Sequence, residues 1–152
     1  MEGYELLDIL KQDFIARKYL HGIYAIDELS KLKVSSRPCF LIVNTCSSKS
    51  NKRMGHWLCL YLDIYGYVSI FFDSFGLAPE VYPEIKKFLR RHSKFIRYNE
   101  ICLQHPSYET CGLYVIYFAK YITRGYDLHH ILSFFPPTKR CSRITHRFMM
   151  YN

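Results

Sequence analysis

Gly55-His56-Trp57-Leu58-Cys59-Leu60-Tyr61-Leu62-Asp63-Ile64-Tyr65-Gly66-Tyr67-Val68-Ser69-Ile70-Phe71-Phe72-Asp73 holds two apolar runs, Trp57 to Leu62 and Tyr67 to Phe72, around a short polar connection. Aspartate at the first and glycine at the fourth position of a four-residue turn is the type I preference, met here by Asp63-Ile64-Tyr65-Gly66. The stretch therefore reads as an antiparallel hairpin. With Asp63 and Gly66 closing the turn, counting outward sets Leu62 against Tyr67 and finally His56 against Asp73. Residues opposed in this way share a face, with Cβ atoms about 4.5–5.5 Å apart, within reach of a carboxylate for an imidazole. A bulge between them would break that register.

Outward from the hairpin, Cys39 to Val43 is a short buried strand ending at Asn44-Thr45, and Ile96 to Leu103 is another strand candidate. Apolar residues at helical spacing from Glu5 to Tyr19 predict one or two short helices. Glu80 to His92 reads as an amphipathic helix with a basic face. Thr110 to Thr123 is apolar all round, hence a buried helix, with Gly125 in C-cap position. Asp127 to Phe135 and Lys139 to Met150 predict two more helices, and Ser47 to Arg53 an exposed loop. Strands in the middle with helices flanking them give an α+β class, and 152 residues fit a single domain, 1–152.

The second chemical feature is Cys111, at the start of that buried helix with Thr110 as N-cap. Unpaired amides and the helix dipole stabilise a thiolate there. A cysteine in an apolar helix is otherwise an inert core residue. Gln104 ends a strand upstream and can aim its amide where the Cys111 N–H points, forming an oxyanion hole. A thiol, an imidazole base, a carboxylate to orient it and an amide donor make a complete set for acyl transfer.

Composition limits the alternatives. An apolar fraction of 49% and an aromatic fraction of 17% describe a folded globule. The N-terminus carries no signal-peptide pattern and no apolar stretch approaches a membrane span, so an intracellular, non-secreted protein without a membrane partner is expected. Six cysteines without dense spacing read as free thiols. No Cys-x-x-Cys occurs, and Cys141, His146, His129 and His130 make a poor ligand set, so no metal is expected. The net charge of +8 favours a polyanionic partner, nucleic acid above all. Lys86, Lys87, Arg90 and Arg91 are the candidate contacts, with Lys94 and Arg97 nearby and Lys139, Arg140, Arg143 and Arg147 further on. An ordinary solvated helix face gives the same pattern.

Taken together, Ile42-Val43-Asn44-Thr45, Gly55-His56-Trp57-Leu58, Phe71-Phe72-Asp73-Ser74-Phe75-Gly76, Gln104 and Cys111-Gly112-Leu113-Tyr114 resemble the adenovirus protease (adenain) family, within the larger group that includes SUMO proteases. The acid follows the histidine by 17 positions, as in both branches, and Cys111 follows Gln104 by 7, which looks like the adenovirus branch. The resemblance implies a papain-like mixed sheet flanked by helices. It implies a cysteine endopeptidase that matures viral capsid or core precursors at glycine-containing, small-residue sites, as a monomer in the host nucleus and virion. Catalytic roles fall on Cys111, His56, Asp73 and Gln104. Trp57, Gly55 and Asn44 become candidate substrate contacts, with Trp57 alternatively an ordinary core aromatic and Asn44 a loop cap. No cofactor is needed for the chemistry, although adenovirus members are stimulated by DNA and a viral peptide. The acid is Asp where many members carry Glu, the long C-terminal extension is missing, and Cys102 does not match the activator-linking cysteine. A short relative from a DNA virus or virus-derived transposon fits these departures. A ubiquitin- or SUMO-directed isopeptidase and a non-catalytic DNA-binding protein are the alternatives.

Overall fold

A computed structural model describes residues 1–50 and 55–136. The 139–150 helix, the C-terminal cations, Cys141, His146 and the end of the 47–53 loop lie outside the described residues. Those described form α1 (Gly3–Gln12), β1 (Leu20–Ala25), β2 (Cys39–Asn44), β3 (Trp57–Leu62), β4 (Val68–Phe72), α2 (Pro83–His92), β5 (Phe95–Tyr98), α3 (Cys111–Ile122) and α4 (Leu128–Ser133), with three short 3-10 turns. The strands make one five-stranded sheet in the order β1-β2-β3-β4-β5. It is mixed: β2, β3 and β4 are antiparallel neighbours, while β1 on β2 and β5 on β4 are parallel. The α+β expectation holds.

Both faces of the sheet are covered, and alternation along each strand sorts the side chains. Phe40, Ile42, Cys59 and Phe72 face α1, α3 and α4, where Leu6, Leu10, Val115 and Phe118 meet them. Phe72 and Phe118 stack with centroids 4.5 Å apart. Cys39, Leu41, Val43, Leu58, Leu60 and Phe71 face the other way, onto Ile85, Phe88 and Leu89 of α2. Each fully buried leucine or phenylalanine contributes roughly 1.5–3 kcal/mol, so the central strands are held from two sides.

The hairpin forms, but with its register moved by two residues. Cys59 pairs with Phe72 and Leu62 with Ser69, and Asp63 N–H donates to the Val68 carbonyl at 3.2 Å. The connection is thus longer than a four-residue turn. The Asp63 carboxylate accepts from the amides of Tyr67 (2.9 Å) and Val68 (3.1 Å), closing a wider loop that contains Gly66 at φ +67°. A two-residue slip preserves the face each side chain occupies. His56 and Asp73 therefore stay on one face as diagonal neighbours.

Two further differences matter for the site. β1 has no reading in the sequence because its residues are all half-buried and its pairing is irregular between Leu20 and Gly22. β5 is shorter than the 96–103 run, since Asn99 replaces ladder pairing with its side chain. Its Oδ1 accepts from Asp73 N–H (3.0 Å) and its Nδ2 donates to the Asp73 carbonyl (2.5 Å).

Candidate active site

Asp73 leaves β4 into a turn closed by Gly76 N–H donating to the Asp73 carbonyl at 2.8 Å. Gly76 has φ +69°, and a Cβ there would lie 2.7 Å from the Ile101 carbonyl carbon, so a side chain is excluded twice over. The turn presents three consecutive residues to the site. The Asp73 carboxylate is fully buried, and its Oδ1 meets His56 Nε2 at 2.6 Å and accepts from Phe75 N–H at 2.8 Å. Its Oδ2 accepts from the Tyr82 hydroxyl at 3.2 Å. Phe75 stacks on the His56 ring with centroids 4.5 Å apart. Ser74 is the third, and its hydroxyl donates to Gln104 Oε1 at 2.7 Å while its carbonyl accepts from the amides of Leu103 and Gln104. Nε2 of His56 faces the carboxylate, and the imidazole lies close enough to the Cys111 sulfur to influence its ionisation.

Burial works against charge on His56, but the Asp73 carboxylate and the Cys111 sulfur overcome it and raise the imidazole pKa to about 9. Burial likewise opposes a Cys111 thiolate. Hydrogen bonding and charge from His56, with the amides of Trp57 and Gly112, still hold its pKa below the ordinary thiol value. The contrast with other buried cysteines is direct: burial pushes Cys39 up to about 11 and also holds Cys59 well above the ordinary thiol value. A thiol lowered by a specific partner is nucleophilic; one raised by burial alone is inert. Cys39, Cys46, Cys59 and Cys111 are free, whereas Cys102 is disulfide-bonded, so the expectation of free thiols throughout fails there.

Cys111, His56 and Gln104 line one open cavity of about 280 Å³, together with Trp57 and Gly55. Gln104 is almost fully buried, and its Nε2 donates to the Tyr108 carbonyl. Asn44 is not in that lining. Its Oδ1 accepts from Cys46 N–H at 2.8 Å, the loop-capping alternative, and a Cβ at Gly55 would fall 1.7 Å from the same oxygen. Gly55 is thus required by Asn44. Thr110 occupies the N-cap position of α3 without a side-chain capping bond. Trp57 is largely buried, and its indole N–H donates to the Met1 carbonyl at 3.0 Å. Sequence reasoning missed the roles of Ser74, Phe75, Tyr82, Asn99 and Met1. Only Ser74 and Phe75, adjacent to the acid, carried any local signal.

The candidate DNA contacts sit on α2, across the sheet from α3. Arg91 donates to the carbonyls of Ser30 (2.9 Å) and Leu29 (2.7 Å), and Lys86 pairs with Glu80 at 3.0 Å. Lys87 and Arg90 are exposed, and Arg90 lines a groove of about 270 Å³ with Lys86 and Lys94. No group of three or more metal-ligating side chains occurs among the described residues, and no described helix is long and apolar enough to cross a membrane.

No family model matches the chain, and no curated protein matches it. Solved structures do. AvrA, in a delL154 form with IP6 and CoA, superposes with TM-score 0.53 at 19% identity, over 82% of this chain and 52% of AvrA. HopZ1a in complex with IP6 and CoA gives 0.50 at 13% identity, over 82% and 44%. The pS273R protease of ASFV gives 0.48 at 15% identity, over 86% and 58%. The chain thus spans about half the length of these structures. At these identities the likeness is one of fold, and this chain adopts the fold of AvrA and HopZ1a.

Proposed function

We propose that the chain is a cysteine endopeptidase with Cys111 as nucleophile, His56 as base and acid, Asp73 as orienting carboxylate and Gln104 as oxyanion donor. The observation that carries the reading is the Cys111–His56–Asp73 relay, in which one buried thiol is lowered while its buried counterparts are raised. The Cys111 thiolate attacks the scissile carbonyl carbon, and the oxyanion is held by Gln104 Nε2 and the Cys111 amide. His56 gives its proton to the leaving amine, releasing it and forming an acyl-thioester. His56 then takes a proton from water, whose oxygen attacks the thioester, and collapse returns the proton to the Cys111–His56 pair. The proposed substrates are viral capsid or core precursors with glycine or other small residues at the cleavage site. DNA bound at Lys87, Arg90 and neighbouring cations is the proposed stimulant, and the nucleus and virion the proposed location.

Cys111→Ala is expected to abolish both thiol labelling and cleavage of glycine-rich peptides; persistent cleavage refutes the assignment. Turnover with DNA should exceed turnover without it, and the gain should vanish at high salt. Fluorogenic ubiquitin and SUMO substrates, run in parallel, test the isopeptidase alternative. AvrA and HopZ1a are described with CoA, so a CoA thioester belongs in the same panel as an acyl donor.

A further inference from the structure

The catalytic cavity has one wall that the proposed mechanism leaves unused. Met1 and Glu2 line it beside His56 and Cys111. They are not a loose tail. Glu2 N–H donates to Glu5 Oε2 at 2.7 Å, Leu6 N–H donates to the Glu2 carbonyl at 3.2 Å, and Leu6 and Leu10 anchor α1 in the core without any exposure. The Met1 carbonyl accepts from the Trp57 indole at 3.0 Å, pinning residue 1 to the residue that follows the catalytic histidine. Its side chain lies over Gly112, the residue after the nucleophile. A Cβ at Gly112 would stand 2.8 Å from the Met1 sulfur and 3.2 Å from its Cβ. Gly3 is also tightly packed, since a Cβ there would sit 3.3 Å from the Trp57 ring.

We infer that Met1 is a specificity-determining residue: its backbone is pinned by the Trp57 indole, and its thioether, lying over Gly112, narrows the cleft beside Cys111 and restricts the adjoining substrate position to small side chains. The inference rests on the reading of Cys111 as the reactive thiol and deepens the endopeptidase proposal by naming what enforces small-residue selection. With the Met1 backbone held by the indole, the thioether lies across the cleft, and a bulky substrate group must displace it from over Gly112. A glycine or alanine passes beneath it.

The test uses the full chain released by a site-specific protease from a removable leader, so that residue 1 can be varied. Wild type, Met1→Ala and Met1→Phe are compared by the rate of Cys111 alkylation with iodoacetamide and with a bulky naphthyl iodoacetamide, located by peptide mapping. Expected is a rise in the bulky-to-small rate ratio of about tenfold in Met1→Ala, of the size a filled or emptied side-chain pocket commonly gives, and a fall in Met1→Phe. Trp57 is the sole tryptophan, so its emission should move to longer wavelength in Met1→Ala as the indole opens to water. A ratio unchanged in both variants overturns the inference. Peptides with glycine or leucine beside the scissile bond separate the two proposals. Glycine-peptide cleavage with an unaltered leucine penalty in Met1→Ala ends the role of Met1 and leaves the peptidase. A shifted alkylation ratio with no cleavage of either peptide keeps the wall and ends the peptidase.

Discussion

Replacing Asp73 by Asn removes the charge that holds His56 protonated while leaving the shape of the site almost intact. The asparagine oxygen can keep the Oδ1 position, accepting from His56 and Phe75 N–H, and its amide can donate to a Tyr82 hydroxyl that turns to accept. What is lost is electrostatic. The imidazole pKa of about 9 stands against about 6.5 for a free histidine, a difference worth about 3 kcal/mol, of which Asp73 is the foremost source. Without it, burial dominates and the imidazole becomes neutral at neutral pH. Cys111 then loses the cation that lowers its own pKa. The fraction of thiolate near pH 6 should fall about 10²–10³-fold, the factor that energy implies. The assay is the Cys111 alkylation rate by iodoacetamide from pH 5 to 10. Wild type should hold a plateau extending into the acid range; Asp73→Asn should start far lower and climb toward the pKa of an ordinary thiol. A variant that keeps the wild-type profile, with circular dichroism confirming its fold, would refute the claim that Asp73 acts through His56 on the sulfur.

The remaining expectations can be checked on the same preparations. Gln104→Ala should lower kcat about 10²–10³-fold with little change in KM, the usual cost of an oxyanion donor, and Ser74→Ala should give a smaller fall of the same kind by freeing the Gln104 amide to turn; a change confined to KM counts against both. Gly55→Ala should destabilise the fold by about 1–3 kcal/mol through overlap with the Asn44 side chain, and Asn44→Gly in the same chain should restore part of the loss, read from urea midpoints. In Cys111→Ala, where Asp73 still raises the imidazole but the thiol no longer does, stability should decline as pH rises above about 6.5, because His56 binds its proton more tightly folded than unfolded, and the decline should end below the value of about 9 that the intact site gives. The slope should disappear when Asp73→Asn is added.

The pairing of His56 with Asp73 was legible because strand periodicity protects it. The register predicted from Asp63 and Gly66 was displaced by two, since the Asp63 carboxylate gathers two amides and widens the connection. A displacement of one would have put His56 and Asp73 on opposite faces; a displacement of two only turned direct opposition into a diagonal. Phe75 takes the place nearer the imidazole and stacks on it. Nothing comparable marked Tyr82, Asn99 or Met1. Each reaches the site through tertiary placement, as an α2 N-cap, a strand exit and the residue leading into α1, and no spacing rule connects them to the acid or the indole. The cations of α2 show the opposite limit. Their clustering was plain in the sequence, yet it could not tell a free Lys87 from an Arg91 bound to the Leu29 and Ser30 carbonyls.

Asp73-Ser74-Phe75-Gly76 explains why so much of the proposed site could be read from so short a segment. Asp73 meets the His56 imidazole, Ser74 holds the Gln104 amide, Phe75 covers the imidazole face, and Gly76 supplies the positive φ that lets the three point where they do. Four contiguous residues thereby fix the relative placement of groups arriving from β3 and from the segment after β5. Only Cys111 must be brought in separately, and α3 does this by packing against the face of the sheet that carries Cys59 and Phe72. The packing of α3 is set by ordinary apolar residues, which tolerate exchange as long as volume and pattern persist. The geometry of the site is therefore constrained at few positions, while the scaffold that delivers Cys111 to it is free to diverge.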